Sequence, residues 1–381
     1  MNRMRIVQAN AVYDADAKTP NDLLDRYFTL TEWSSAVARA GAEVSVVQRF
    51  HTAATIERDG IRYEFVADKQ TPWLSTSGAP PPFIAAIVKE APAVVHVNGL
   101  IFPGLVAAIR NQAPPATVIV AQHHGGEFPL RGSGLSGIWL RRRWYRGLAA
   151  ADALSFTAAD QAAPWRAAGV IANQRVIEII EASTTMRSVG RERARTAIGA
   201  DGSPLILWVG RLTTNKDPLT VLDGLERALP QLPGAKALMV FGDNTLIESV
   251  DQRVRASALL LDRVTLVGRL DRAELPNYYA AADVFISGSH YEGSGYALIE
   301  AMSAGVVPVV TDIPSFRAIA GETGARWTPG DADDFTRVLV DACGPDLNSR
   351  KDAAKARFDR VLSWEAIGRR TVAEYSAIAR A

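Results

Sequence analysis

The chain has 381 residues, 48% of them apolar and 22% charged, with a formal net charge of +1. Such a length favours two or three domains with an ordinary buried core, and so balanced a charge gives no electrostatic ground for a nucleic-acid partner. Cys343 stands alone, which excludes an intrachain disulfide and a cysteine-based zinc site; no apolar run reaches the ~18 residues of a membrane span, and MNRMRIVQANAVYDAD turns polar too early for a signal peptide, so a cytoplasmic location is expected.

In chain order, short β-branched runs predict strands at Arg5–Gln8, Val44–Gln48, Val94–Val97, Val118–Gln122, Leu154–Thr157 and Val176–Ile180. After a gap they resume at Leu205–Val209, Leu238–Phe241, Val264–Val267, Val284–Ser287 and Pro308–Thr311. Most are continuously apolar, as strands covered on both faces must be. Segments with helical apolar spacing lie between many of them, including Leu30–Arg39, Leu219–Leu229 and Glu274–Ala281. The exception is TIERDGIRYEFV (55–66), where Asp59-Gly60 between alternating runs predicts a hairpin. The polar, strandless stretch 183–204 divides the strands into two sets. The expected fold class is therefore α/β, with two doubly wound domains facing each other across a cleft at 1–185 and 186–361. A packing helix at 362–381 follows, with Trp364, Ile367, Thr371, Tyr375 and Ile378 at helical spacing.

Candidate ligand contacts sit at strand ends. In VVHVNGLIFPG (94–104), His96 lies within the strand and reads as a core histidine, whereas Asn98 and Gly99 can line the cleft. TVIVAQHHGGEF (117–128) ends its strand at His123 and His124; period-two alternation points one of them into the cleft, where an imidazole can hydrogen-bond a hydroxyl. A metal set of His123, His124 and Glu127 is the weaker reading of the same residues. LRRRWYRGL (140–148) reads as a solvated helix and is also a candidate for peripheral contact with an anionic inner-membrane surface.

In the second half, LILWVGRLTTNKDP (205–218) places Gly210-Arg211 and then Lys216 just past a strand, where two cations can neutralise a diphosphate. It is not a Walker loop. Gly242 in LMVFGDN and Gly268 in TLVGRLDRAELPNYYAAAD again follow strands, where backbone can approach a flat base. In SGSHYEGSGYALIEAMSAGVVPVV (287–310), Glu292 precedes Gly293-Ser294-Gly295, and Glu300 lies one turn inside the helix beyond. The amides at that helix start suit a phosphate, and the acceptor-only carboxylate of Glu300 suits a vicinal diol.

The Glu292/Glu300 pair at E-x7-E spacing, with Gly210-Arg211 and Lys216 upstream in this order, resembles the retaining glycosyltransferases of family 4, of GT-B fold. The resemblance covers most of 200–380 and, more loosely, the N-terminal half. It implies that Glu300 binds the nucleotide ribose, Glu292 the donor sugar, and Arg211 and Lys216 the diphosphate. It further implies that the amides of Gly295, Tyr296 and Ala297 hold phosphate and that Gly268, Arg269 and Leu270 meet the base. His124, or its neighbour His123, would lie close to the sugar, and the C-terminal helix would return to the first domain. The implied activity is transfer of a sugar from a UDP- or GDP-linked donor to a glycan, lipid-linked or small-molecule acceptor, with retention and without an essential metal or other cofactor. A catalytically silent nucleotide-sugar-binding subunit is the alternative. An NAD-linked oxidoreductase is disfavoured, because no first-strand Gly-x-Gly-x-x-Gly occurs. Three departures stand out: the family's glycine-rich first loop is replaced by a long segment in which Asn10 and 29–31 are candidate substitutes, IIEASTTM replaces its usual Pro-Asn-Gly-Val, and Ser294 stands where an aromatic is more common.

Overall fold

The structure, a computed structural model, describes residues 3–68, 80–125, 128, 134–187, 189–242 and 245–380. It divides into two compact units, Met1–Ala182 with Trp364–Ala381, and Ser183–Ser363.

The first unit is built on eight strands: β1 (Arg5–Asn10), β2 (Glu43–Phe50), β3 (Ala54–Arg58), β4 (Ile61–Ala67), β5 (Val94–Asn98), β6 (Val118–Gln122), β7 (Ala153–Phe156) and β8 (Arg175–Glu178). Their order is β3-β4-β2-β1-β5-β6-β7-β8. Every pairing is parallel except the β3–β4 hairpin, which turns at Asp59-Gly60 as its sequence predicts. Val94, Val95, Ile119 and Val120 have essentially no exposure, because helices cover both faces. One of these is Trp364–Ala379, which packs on Phe28–Arg39 and buries Trp364, Ile367, Thr371, Tyr375 and Ile378. The Tyr375 hydroxyl lies 2.5 Å from His96 Nδ1, and the Trp33 ring packs against that imidazole, tilted by 30° with centroids 4.4 Å apart. Burial pushes the His96 pKa down to about 3, so it is a neutral core residue.

The second unit carries β9 (Leu205–Gly210), β10 (Lys236–Phe241), β11 (Val264–Gly268), β12 (Val284–Ser287), β13 (Val307–Thr311) and β14 (Ala325–Trp327), in the order β11-β10-β9-β12-β13-β14, all parallel. The sequence reading omits β14, a three-residue edge strand too short to show a pattern. The stretch 183–204 holds the helix Arg191–Ile198, tied down by the buried Asp283 just before β12. In each unit the chain runs outward from a central strand and then restarts on its other side. These switch points lie between β1 and β5 and between β9 and β12, and the strands' carboxyl ends there are where such sheets hold ligands.

Candidate functional site

The carboxyl ends of β11, β10, β9 and β12 are neighbours, so the turns leaving them share one edge of the second sheet. That edge collects Gly268-Arg269-Leu270, Gly242, Gly210-Arg211 and the run from Ser287 to Gly295. The turns after β9 and β12 flank the switch point and are stitched together. Asn215 Nδ2 donates to the Tyr291 carbonyl at 2.9 Å, and Asn215 Oδ1 accepts from the Tyr291 amide at 3.0 Å. The His290 amide donates to the Asn215 carbonyl at 2.9 Å. Gly288 permits this approach, since a Cβ there would meet the Lys216 carbonyl oxygen at 3.0 Å and Val221 Cγ2 at 2.9 Å.

At the seam Lys216 Nζ pairs with Glu292 Oε1, which also accepts from Ser289 Oγ at 2.7 Å. Sequence reasoning selects both residues but does not pair them. Arg211 is exposed at the end of β9. Gly295, with φ of 60°, opens the helix Tyr296–Ser303, and no side chain caps it, so the first-turn amides keep their partial positive charge. A Cβ on Gly295 would also lie 2.7 Å from Ile319 Cδ1. Gly293 and Ser294 form the turn before it.

Glu300 is half-buried one turn into this helix, beside the Tyr279 hydroxyl and under the field of Arg272. With Arg272, Thr184 and Thr185 it lines a small cavity of about 90 Å³. Burial raises the Glu300 pKa above the usual carboxylate value, against the opposing pull of Tyr279 and Arg272. The folded chain therefore binds a proton that the unfolded chain releases, and stability falls as pH rises through the raised pKa. Glu300→Gln removes that penalty. Its melting temperature is expected to exceed wild type at pH 7 but not at pH 4. Thermal unfolding at both pH values checks this, and an equal gain at pH 4 would refute the linkage.

In the first unit one polar side chain from each of several strand ends forms a chain along the carboxyl edge. Asn10 Nδ2 (β1) donates to Gln48 Oε1 (β2) at 2.5 Å, and Asn98 Nδ2 (β5) donates to Asn10 Oδ1 at 3.4 Å. Asn98 Oδ1 meets Nε2 of His124, just past β6, and His124 Nδ1 lies 2.8 Å from the buried Glu181 carboxylate, beyond β8. Asn10, Gln48, Asn98, Gly99, His123 and His124 line a cavity of about 420 Å³. Thr29 and Leu30 line it too, so three of the candidate substitutes for the missing glycine-rich loop are at this cavity.

Both histidines line it, contrary to the expectation that alternation admits only one. They follow the last residue of β6, where the period of two no longer holds. His123 is buried, stacked on Phe156 at 5.0 Å and edge-on to Trp165 at 5.7 Å, whereas His124 is exposed. Glu181, within IIEASTTM, is the partner that sequence reasoning missed.

Among the described residues no three His, Cys, Asp or Glu side chains are grouped to hold a metal; Glu127 and Gly126 lie outside those residues. Two Asp-x-Asp triplets, at 14–16 and 331–333, match a metal-binding pattern in sequence but have structural roles. Asp14 accepts from Arg26 at 2.7 Å and Tyr27 at 3.0 Å, and Asp331 caps the helix Ala332–Ala342. The basic helix, Gly134–Leu148, buries Trp144 and exposes Ile138, Trp139 and Tyr145, with Arg143 over the Trp139 ring. No helix among the described residues is long and apolar enough to cross a membrane.

Residues 203–343 match the family model described as Glycosyl transferases group 1. The GDP-mannose:cellobiosyl-diphosphopolyprenol alpha-mannosyltransferase of Xanthomonas campestris is 27% identical over 304 residues, 78% of this chain and 77% of that protein. Among solved structures, sucrose-phosphate synthase from Thermosynechococcus elongatus aligns with a TM-score of 0.65 at 21% identity, over 98% of this chain and 99% of that one. Anabaena HepE in complex with UDP and glucose aligns with a TM-score of 0.66 at 17% identity, over 98% and 100%. The fold is thus of the GT-B type, and the family match and the relative support glycosyltransferase activity.

Proposed function

We propose that this chain is a retaining glycosyltransferase that moves a hexose from a nucleotide-diphosphate sugar, held by the second unit, to an acceptor held by the first. The observation that supports the reading is the seam between the turns after β9 and β12, where Lys216 pairs with Glu292 a few residues before an uncapped helix that carries Glu300. Arg211, Lys216 and the amides of Gly295, Tyr296 and Ala297 meet the diphosphate. Glu300 accepts from the ribose hydroxyls, Glu292 orients the donor sugar, and Gly268, Arg269 and Leu270 border the base. Gly242, Gly293 and Ser294 let backbone approach the donor. The mannosyltransferase relative uses GDP-mannose by name, which favours a GDP-linked donor; HepE was solved with UDP, which keeps the uridine series in view.

In the reaction the bond between the anomeric carbon and the diphosphate oxygen breaks. The acceptor oxygen bonds to that carbon on the same face, and its proton passes to the departing diphosphate. Charge grows on the leaving oxygens, and fixed cations and amides stabilise it without reorganising. These groups supply the positive charge of the step, so activity should survive a chelator. In this reading His124 exchanges its Asn98 contact for the reacting hydroxyl of the acceptor.

A thermal-shift panel of UDP-, GDP- and ADP-sugars tests the donor site. A donor at ~100 times its dissociation constant adds about 2.7 kcal/mol of stability. One base series is expected to stabilise the chain and to support transfer in the presence of EDTA. A donor that binds but undergoes neither transfer nor hydrolysis would overturn the assignment.

A further inference from the structure

In the cavity of the first unit Asn10, Gln48, Asn98 and His124 make a polar floor, Leu30, Leu100, Phe102 and Trp165 a buried apolar wall, and further apolar side chains an exposed rim. Val12, Tyr27 and Ile101 stand at the rim and are 41%, 37% and 48% exposed. Three large apolar side chains left in water around one opening mark a surface that a ligand covers. The floor has little hydrogen-bonding capacity to spare. Gln48 Nε2 donates to the backbone carbonyls of Val12 and Arg49, each at 2.8 Å, and Asn10, Asn98 and His124 are engaged with one another. A ligand that fills about 420 Å³ here can satisfy only a few polar groups, and those at one end.

We infer that the cavity selects an amphipathic acceptor, with a hydroxyl-bearing head on the floor beside Asn98 and His124 and an alkyl or aryl group attached to that head lying against Val12, Tyr27 and Ile101. This rests on the glycosyltransferase reading and on placing the acceptor in the first unit. It adds that the acceptor is not a free, wholly hydrophilic sugar. The apolar group has two possible sources, the chain of a lipid or the ring of an aromatic aglycone, and both present the same chemistry to the rim.

The test is calorimetric titration of methyl, butyl, hexyl and phenyl glucosides and mannosides into wild type and Ile101→Ser. Each methylene buried is worth roughly a fourfold gain in affinity, so the hexyl glycoside of the preferred head should bind at least tenfold tighter than the methyl. Ile101 is exposed, so Ile101→Ser should keep the wild-type melting temperature while flattening the series to threefold or less. Hexyl above phenyl identifies a lipid chain, and phenyl above hexyl an aromatic aglycone. A flat series in wild type, or an unchanged slope in Ile101→Ser, overturns the inference. The donor panel, run on the same samples, reads the second unit separately. Its failure would sink the glycosyltransferase reading while leaving the glycoside series to be judged alone.

Discussion

Lys216→Ala is expected to lower the rate of glycosyl transfer by about 10²–10³-fold, the size of loss seen when one fixed donor to a developing oxyanion is removed. The ammonium sits in the turn Thr214–Lys216 and is held by Glu292, which also accepts from Ser289 at 2.7 Å. That geometry makes the two residues one unit, so their substitutions should not add. Glu292→Gln alone frees the ammonium, and Lys216→Ala with Glu292→Gln should be far less impaired than the product of the single losses, a coupling of about 0.5–3 kcal/mol. Steady-state kinetics on the three variants, with Arg211→Ala alongside, measures this. Near-normal transfer by both Lys216→Ala and Arg211→Ala would remove the basis for a diphosphate at this seam.

Asp283→Ala is expected to destabilise the second unit by about 3 kcal/mol, the low end of the range for breaking a buried ion pair. Asp283 is buried and gathers four partners: the Leu205 amide at 2.9 Å, Arg195 at 2.9 Å, Lys351 at 3.0 Å and Arg191. It thereby fastens the first residue of β9 and the helix Arg191–Ile198. The low end applies because the Arg191 side chain, 39% exposed, can swing into water once its partner is gone. Urea unfolding of wild type, Asp283→Ala and Asp283→Asn checks it. Asparagine should recover part of the loss, since it still accepts from the Leu205 amide. A loss below ~0.5 kcal/mol for alanine would place this cluster among ordinary surface pairs.

The buried strands were legible because helices on both faces force continuous apolar runs, as in LILWVG of β9 or VPVVT of β13. The donor-side elements were legible because each occupies a few residues at a strand end. Lys216 and Glu292 could be named from sequence, but their pairing bridges 76 residues and depends on Gly288 letting two turns touch. In the chain from Gln48 to Glu181, Asn10, Asn98 and His124 could be named at their strand ends, but its two terminal members and its connectivity could not, because isolated polar residues carry no period. Asp283 carries no pattern in the sequence; only the fold brings four partners to it. The alternation rule failed at His123 and His124 because it was applied one residue past the strand that obeys it.

The helix Trp364–Ala379 completes the core of the first unit, yet the ribosome makes it only after the whole of Ser183–Ser363. Ala36 and His96 thus wait, without their cover, through the synthesis of an entire second unit that needs nothing later than Ser363 to close its own. The half translated first is the half that matures last, and at synthesis rates of about 5–20 residues per second that delay is roughly 10–40 s. During it the nascent chain shows water an apolar helix face that a chaperone could hold.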